Sequence, residues 1–122
     1  MKIAEAIASL DELKPNAFPE RIKLRWLSEL DIRLYESVMK HYEDCPEEFA
    51  GYGETTDRET ELLAPAPYDR MYLFWLEAQV DYWLGETARY NNAISTFEAE
   101  YASFAAAYHR KHVHKRFPPR WF

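Results

Sequence analysis

The feature that most constrains the fold is a regular series of large side chains near the carboxyl end of the sequence. Their spacing alternates between four and three residues, which is the repeat of a helix with one continuous apolar seam. The series consists of Trp83, Thr87, Tyr90, Ile94, Phe97, Tyr101, Phe104 and Tyr108. Alanines between these positions favour helix and allow a neighbouring helix to approach closely. The seam favours packing within a bundle, with a homotypic coiled coil as the alternative.

Apolar spacing predicts three further helices upstream of the seam. Pro19 suits the first turn of the second helix because that turn needs no backbone donor there. No alternating run typical of a strand competes with these predictions. We therefore expect an all-α fold in which four main helices form a small bundle. The upstream helices cover Ile3–Leu13, a stretch from Pro19 to about Tyr42, and a stretch that starts near Pro67 or Tyr68.

The third predicted helix is apolar on every side. It contains the longest wholly apolar run, from Met71 to Leu76. A chain of 122 residues rarely buries a whole helical cylinder by itself, so we expect part of this helix to contact another molecule. Gly85 disfavours helix, which predicts a kink or turn between Gly85 and Asn92 before the last helix begins.

The chain carries its charge unevenly. Residues 43–61 hold eight carboxylates against one base, and prolines and glycines around them predict a long acidic loop between the second and third helices. Residues 109–122 hold five Lys or Arg and no acid. We expect one helical domain over residues 1–108, followed by a basic, aromatic tail over residues 109–122. Patches of opposite charge influence how the protein associates with partners and say little about its fold.

Several classes of protein are excluded or disfavoured. The six-residue apolar run is far shorter than the roughly 20 residues of a membrane-spanning helix, and the first residues do not resemble a secretion signal. The single cysteine, Cys45, excludes an internal disulfide framework and suits a reducing compartment. There is no phosphate-binding loop, dinucleotide-binding glycine pattern or nucleophile elbow. We expect neither an enzyme nor a cofactor.

Clustered histidines are the first candidate chemistry. His109, His112 and His114 crowd one stretch and could hold a transition metal if the backbone brought them together. The alternative is a basic tail rich in polar groups, because neighbouring bases repel a cation. His41 and Cys45 are four residues apart, which suits two zinc ligands, but a half-buried pair is favoured since further ligands are missing nearby.

Two carboxylates in the third helix are the second candidate. Glu77 and Asp81 lie one turn apart among aromatic residues, where desolvation can raise a carboxyl pKa enough for acid-base work. Alternatively, they point to solvent or to Tyr or Arg partners. No histidine or cysteine accompanies them, so we favour the structural interpretation.

The tail alternates bases with aromatic residues and contains Pro118 and Pro119, which stiffen the backbone. This composition suits binding to nucleic acid through phosphates and base stacking. It equally suits docking on an acidic protein surface, where Trp and Arg are common anchors. A solvated terminus is the third possibility. We favour a protein partner, because the rest of the chain is acidic and repels a phosphate backbone.

Several short motifs resemble those of small structural proteins of phages and prophages, specifically head-tail connector or adaptor proteins of tailed phages of Gram-positive hosts. The resemblance extends to about Tyr108. It implies a helical protomer that assembles in the host cytoplasm into a ring of about a dozen copies beneath the portal, at the head-tail junction. It implies no active site. The motifs are IAEAI at 3–7, DELKPN at 11–16, KLRWLSELD at 23–31, ELLAPAPYD at 61–69 and RYNN at 89–92.

A ring requires two different complementary patches on each subunit. We expect the acidic segment 43–61 to face basic groups of a neighbour or of the portal, while Tyr72 and Trp75 add apolar contact area. The alternative function is that of a nucleic-acid-binding phage accessory protein. The tail residues assigned to the interface are Arg116, Phe117, Arg120, Trp121 and Phe122.

Overall fold

The computed structural model describes residues 1–113, and these residues confirm the all-α fold. No strand occurs in this part of the chain. Short 3₁₀ helices follow the second α-helix and precede the third, at Met39–His41 and Tyr68–Arg70. The four α-helices are α1 (Ile3–Leu13), α2 (Glu20–Ser37), α3 (Met71–Trp83) and α4 (Thr87–Lys111).

Helices α3 and α4 form an antiparallel hairpin. Arg70, just before α3, pairs with Glu100 of α4, whereas the ring of Tyr82 at the other end of α3 lies 5.6 Å from that of Tyr90. The chain reverses at Gly85, whose φ of 74° lies in the left-handed region that glycine enters without a steric penalty. The interruption predicted near Gly85 is therefore a tight turn between two helices.

The aromatic seam of α4 packs inside its own chain from Tyr90 onward. Phe97 is fully buried, with its ring centroid 5.1 Å from that of Trp75, and Phe104 lies 6.0 Å from Tyr68. Trp83 does not belong to the seam, because it ends α3 and is exposed.

Helix α2 ends earlier than its apolar pattern predicts. The pattern continues to about Tyr42, but the α-helix stops at Ser37 and the 3₁₀ turn takes over. This change of helix type brings Tyr42 against the end of α4, where its ring packs edge-on to Tyr108 at 5.0 Å. Burial of Tyr42 thus overrides the local helical preference.

Helix α3 is covered far more completely than its sequence suggests. Met71, Tyr72 and Leu76 are fully buried, and Leu73, Phe74 and Trp75 are partly buried. Helices α1, α2 and α4 all pack against it. The chain itself therefore covers the first two turns of α3, and the expectation that part of this helix contacts another molecule now rests on its last turn, where Tyr82 and Trp83 are exposed.

The long loop between α2 and α3 is held against the bundle. The Tyr52 backbone N–H donates to Ser28 Oγ at 2.9 Å, and the Tyr35 hydroxyl donates to the Pro46 carbonyl oxygen at 2.6 Å. Further along, the Ile3 N–H donates to the Thr60 carbonyl oxygen at 3.0 Å. The loop therefore connects α2 to α1 as well as to α3.

Gly51 permits this close approach, and replacing it with alanine tests the fit. Its φ is 87°, and a Cβ there would collide with Ser28 Oγ and the Ile32 side chain. We expect Gly51→Ala to lower the free energy of unfolding by about 1–3 kcal/mol, because strain and collision add. Gly53→Ala is the matched control, since a Cβ at Gly53 meets nothing within 4 Å. Urea unfolding followed by circular dichroism measures both, and equal losses would contradict this account.

Candidate functional site

The most unusual polar group in the structure is the carboxylate of Asp31, which is completely buried in the middle of α2. It accepts three hydrogen bonds: from the Tyr72 hydroxyl at 2.6 Å, from the Tyr52 hydroxyl at 2.5 Å and from the Leu63 N–H at 3.1 Å. The Tyr72 hydroxyl in turn accepts from the Ala64 N–H at 2.8 Å. One carboxylate therefore binds α3 and two points of the long loop to α2.

The surroundings of Asp31 shift the pKa values of Asp31, Tyr52 and Tyr72. Burial raises the pKa of Asp31 above its ordinary value, although the three donors act in the opposite direction. Burial and the adjacent carboxylate raise the pKa of both Tyr52 and Tyr72. A shifted carboxyl next to two tyrosines is a composition found in active sites. Here Asp31 has no exposed surface, so the group serves to hold the loop in place.

The two residues of α3 assigned to an interface have different environments. Tyr72 has no exposed surface, so the prediction that it contributes apolar contact area to a partner is wrong. The reason is its hydrogen bond to Asp31, which draws the ring inward. Trp75 is half-buried, and its indole N–H donates to the Trp26 carbonyl oxygen at 2.8 Å. The other assigned residues, Arg116, Phe117, Arg120, Trp121 and Phe122, lie outside the described residues.

The histidines of α4 take part in contacts between side chains. The His112 ring stacks on Tyr108 at 3.7 Å, and its Nδ1 lies 2.6 Å from Asp44 Oδ2. The His109 ring packs edge-on to Tyr42 at 5.6 Å. His114 lies outside the described residues. Within residues 1–113, no group of three potential metal ligands occurs.

The predicted pair of His41 and Cys45 is only partly reproduced by the structure. His41 is exposed on the 3₁₀ turn, whereas the free thiol of Cys45 is half-buried. The half-buried pair expected from the spacing therefore holds for Cys45 alone. The chain bends after Ser37, so the four-residue spacing no longer lies on one α-helical face.

The acidic segment 43–61 divides into two parts. Its second part is tied to the domain: Glu59 pairs with Lys2 at 2.9 Å, and Glu61 pairs with the amino terminus at 3.1 Å. Its first part has the exposed carboxylates Glu43, Glu47 and Glu48. The Glu43 N–H donates to the Val113 carbonyl oxygen at 2.9 Å, so the start of this segment lies beside the residues that follow α4.

Four large exposed apolar side chains lie at or next to the ends of α1 and α3, at the end of the hairpin opposite Val113. Lys14 Nζ lies 2.5 Å from Asp81 Oδ1, which brings the end of α1 next to the end of α3. Neighbouring positions on both helices are exposed. We call this surface the apolar corner; it consists of Leu13 (64% exposed), Tyr82 (58%), Trp83 (63%) and Leu84 (59%).

The sequence predictions did not identify the apolar corner. The spacing places Trp83 in the seam of α4 and gives Tyr82 and Leu84 no role. The available signal was three consecutive large apolar residues directly before a glycine, because three neighbouring positions cannot all face the core at a helix end.

Asp81 and Glu77, the two carboxylates of α3, lie behind the apolar corner. Asp81 is 2% exposed, and its Oδ2 has no hydrogen-bond partner among residues 1–113. Burial raises the pKa of Glu77, while Lys14 acts to lower it. Asp81 lines an open cavity of about 300 Å³ together with Tyr82, Tyr90 and the turn between the helices. The main partner of Asp81 is thus a lysine, which is neither solvent nor the expected Tyr or Arg.

Comparison with protein-family models, with curated proteins and with solved structures gives no match to this chain. Within residues 1–113, no helix combines the length and the apolar character needed to cross a bilayer.

Replacing Asp31 with asparagine tests the buried carboxylate. We expect Asp31→Asn to lower the free energy of unfolding by about 1–3 kcal/mol, because the amide nitrogen cannot accept from a tyrosine hydroxyl. The loss should shrink as the pH rises. A carboxyl group whose pKa is raised on folding binds more protons in the folded chain than in the unfolded one. The contribution of Asp31 to the free energy of unfolding therefore decreases as the pH rises from 3.8, its ordinary pKa, to the raised value.

Urea unfolding of both proteins at several pH values measures this difference. Subtracting the two curves removes the titration of all other groups. A difference that grows with pH across this window would contradict a raised pKa for Asp31.

Proposed function

We propose that this chain is a structural protein of the phage head-tail connector type, which associates with copies of itself into a ring beneath the portal. The observation that carries the proposal is the apolar corner. Tyr82, Trp83 and Leu84 at the end of α3 are all more than half exposed, as is Leu13 at the end of α1, which Lys14 holds next to Asp81 of α3. The first turns of α3 are covered. A clustered apolar surface of this kind is typical of protein interfaces.

The magnitudes favour the apolar corner as the main source of affinity. Burying one large apolar side chain contributes about 1.5–3 kcal/mol. An exposed ion pair contributes at most about 1 kcal/mol. Association through the corner would therefore be driven by apolar burial, while the charged segments would determine orientation and the rate of encounter.

The arrangement of surfaces supports a head-to-tail contact. The apolar corner lies at the first end of α4, and the exposed acids Glu43 and Asp44 lie next to the residues at its other end. Helix α4 has 25 residues, which corresponds to a length of about 37 Å. Two unlike surfaces at opposite ends of a subunit support heterologous contacts, which close into rings when the rotation permits.

The resemblance to connector proteins of tailed phages supplies the biological setting. It accounts for a small helical subunit. Genes for portal and capsid proteins just before this one, and tail genes just after it, would add independent support.

Nucleic-acid binding is the rival proposal, and it draws on the exposed Arg110 and Lys111 at the end of α4. It requires DNA affinity that falls steeply as salt rises. Replacing Arg110 and Lys111 with glutamine should then weaken DNA binding. Affinity that depends little on salt, or that is unchanged in this variant, counts against it.

Light scattering after size-exclusion chromatography tests self-association. We expect the mass of the purified chain to exceed that of a monomer at high concentration. Trp83→Ser should shift the equilibrium towards monomer by about tenfold or more in dissociation constant, because a central aromatic residue carries much of an interface's affinity. Val113→Ser is the control, since Val113 is similarly exposed (59%) but distant from the apolar corner. A monomer at every concentration and salt level would contradict self-assembly by this chain.

A further inference from the structure

The cavity behind the apolar corner contains an acceptor that the described part of the chain leaves unsatisfied. Asp81 is almost completely buried, and Lys14 contacts only its Oδ1. Its Oδ2 has no hydrogen-bond partner. Buried carboxylate oxygens are rarely left unpaired, because the lost hydration is not replaced. This atom therefore lacks a donor among the described residues, and the cavity that Asp81 lines has room for one.

The walls of the cavity define the chemistry of that donor. Tyr82 and Tyr90 line one side, with their ring centroids 5.6 Å apart. The ring of Trp83 packs edge-on against Tyr82 at 5.2 Å. A carboxylate next to aromatic rings suits an ammonium or guanidinium group, which gains from both the charge and the ring faces. Exposed Trp83 and Leu84 next to it suit apolar or aromatic neighbours of that cation.

We infer that the Asp81 cavity and the apolar corner bind the basic, aromatic residues 115–122 of a second copy of this chain. This segment has the required composition: three cationic side chains and three large aromatic ones within eight residues. It thus supplies both a cation for Asp81 and aromatic groups for the corner. The inference rests on the proposed assembly function and names the surface and the segment that would meet.

Distance excludes the same copy as the source of the segment. Val113 is held beside Glu43, at the end of α4 that lies about 37 Å from the corner. Trp121 is eight residues beyond Val113, which an extended backbone spans over about 27 Å. A segment attached at that point therefore reaches the corner of a neighbouring copy but not its own.

The exposed acids at the start of the segment 43–61 are the competing binding surface, and Glu43 lies next to Val113. Glu43, Glu47 and Glu48 are exposed, so a contact with them is made in water and is screened by salt. The Asp81 carboxylate is buried, and its cavity is bordered by the rings of Tyr82 and Tyr90 as well as by Thr87 and Asn91, so a cation that pairs with Asp81 is screened less than one in open water. The corner is therefore the stronger surface at physiological ionic strength. Lys14 and Arg89 near Asp81 oppose the cation, while Glu77 favours it.

A fluorescent peptide with the sequence of residues 114–122 tests the inference by anisotropy titration against the full chain. We expect saturable binding that weakens about tenfold or more in the variant Trp83→Ala, whose side chain is exposed and whose loss should leave the fold intact. Asp81→Asn should weaken binding to a similar degree, because the amide removes the charge. Thermal melts confirm that each variant is folded.

Two controls test which surface binds the peptide and whether the peptide's charge is needed. The double variant Glu47→Gln/Glu48→Gln removes two of the three competing acids and should leave peptide affinity unchanged within about twofold, as expected for screened surface charges. A peptide in which the Lys and Arg are replaced by glutamine should bind weakly. Loss of binding in the Glu47→Gln/Glu48→Gln variant with retention in Trp83→Ala would overturn the inference.

The full chain carrying Arg120→Gln and Trp121→Ala distinguishes this inference from the proposed function. We expect light scattering to show weakened association for this variant, as for Trp83→Ser. If it associates like the wild type while Trp83→Ser does not, the corner binds another part of the partner, so the inference fails and the assembly proposal stands. If the peptide binds the corner but the chain stays monomeric, the docking inference stands and assembly by the chain alone fails.

Discussion

The structure depends on one buried carboxylate. An ionised group removed from water is costly unless donors replace its hydration, and Asp31 has three donors that come from α3 and from two separate points of the long loop. Satisfying Asp31 therefore requires that α2, α3 and the loop adopt one relative arrangement. The Tyr72 hydroxyl extends this constraint, since it donates to Asp31 and accepts from the loop at Ala64. A segment rich in acids, glycine and proline is thereby packed against the bundle.

This constraint determines where apolar surface is covered. With Tyr72 drawn inward, the first turns of α3 lie beneath the loop, α2 and α4, and little of their apolar surface faces water. The end of α3 extends past this covered region. There the chain reverses at Gly85, directly after Leu84, and Tyr82, Trp83 and Leu84 are each more than half exposed. The apolar surplus of the sequence is real, but it lies at the end of the hairpin rather than along its length.

The two ends of the hairpin differ in chemistry, and this difference connects the fold to the proposed function. One end carries the apolar corner and the unsatisfied oxygen of Asp81. The other joins the exposed acids to the start of the basic segment through the contacts of Asp44 with His112 and of Glu43 with Val113. A subunit with unlike ends favours contacts between different surfaces, and such contacts generate rings or filaments rather than closed pairs.

The sequence by itself determined the number of main helices, the break at Gly85 and the long acidic loop, because these follow from local periodicity, backbone preferences and charge. It also identified α3 as unusually apolar. Only the tertiary structure decided that Tyr72 is internal, that α2 stops at Ser37 and that the exposed apolar side chains gather at Leu13 and the end of α3. The physical reason is that burial depends on partners distant in the chain: Asp31 and Tyr72 are 41 residues apart, and no local pattern relates them.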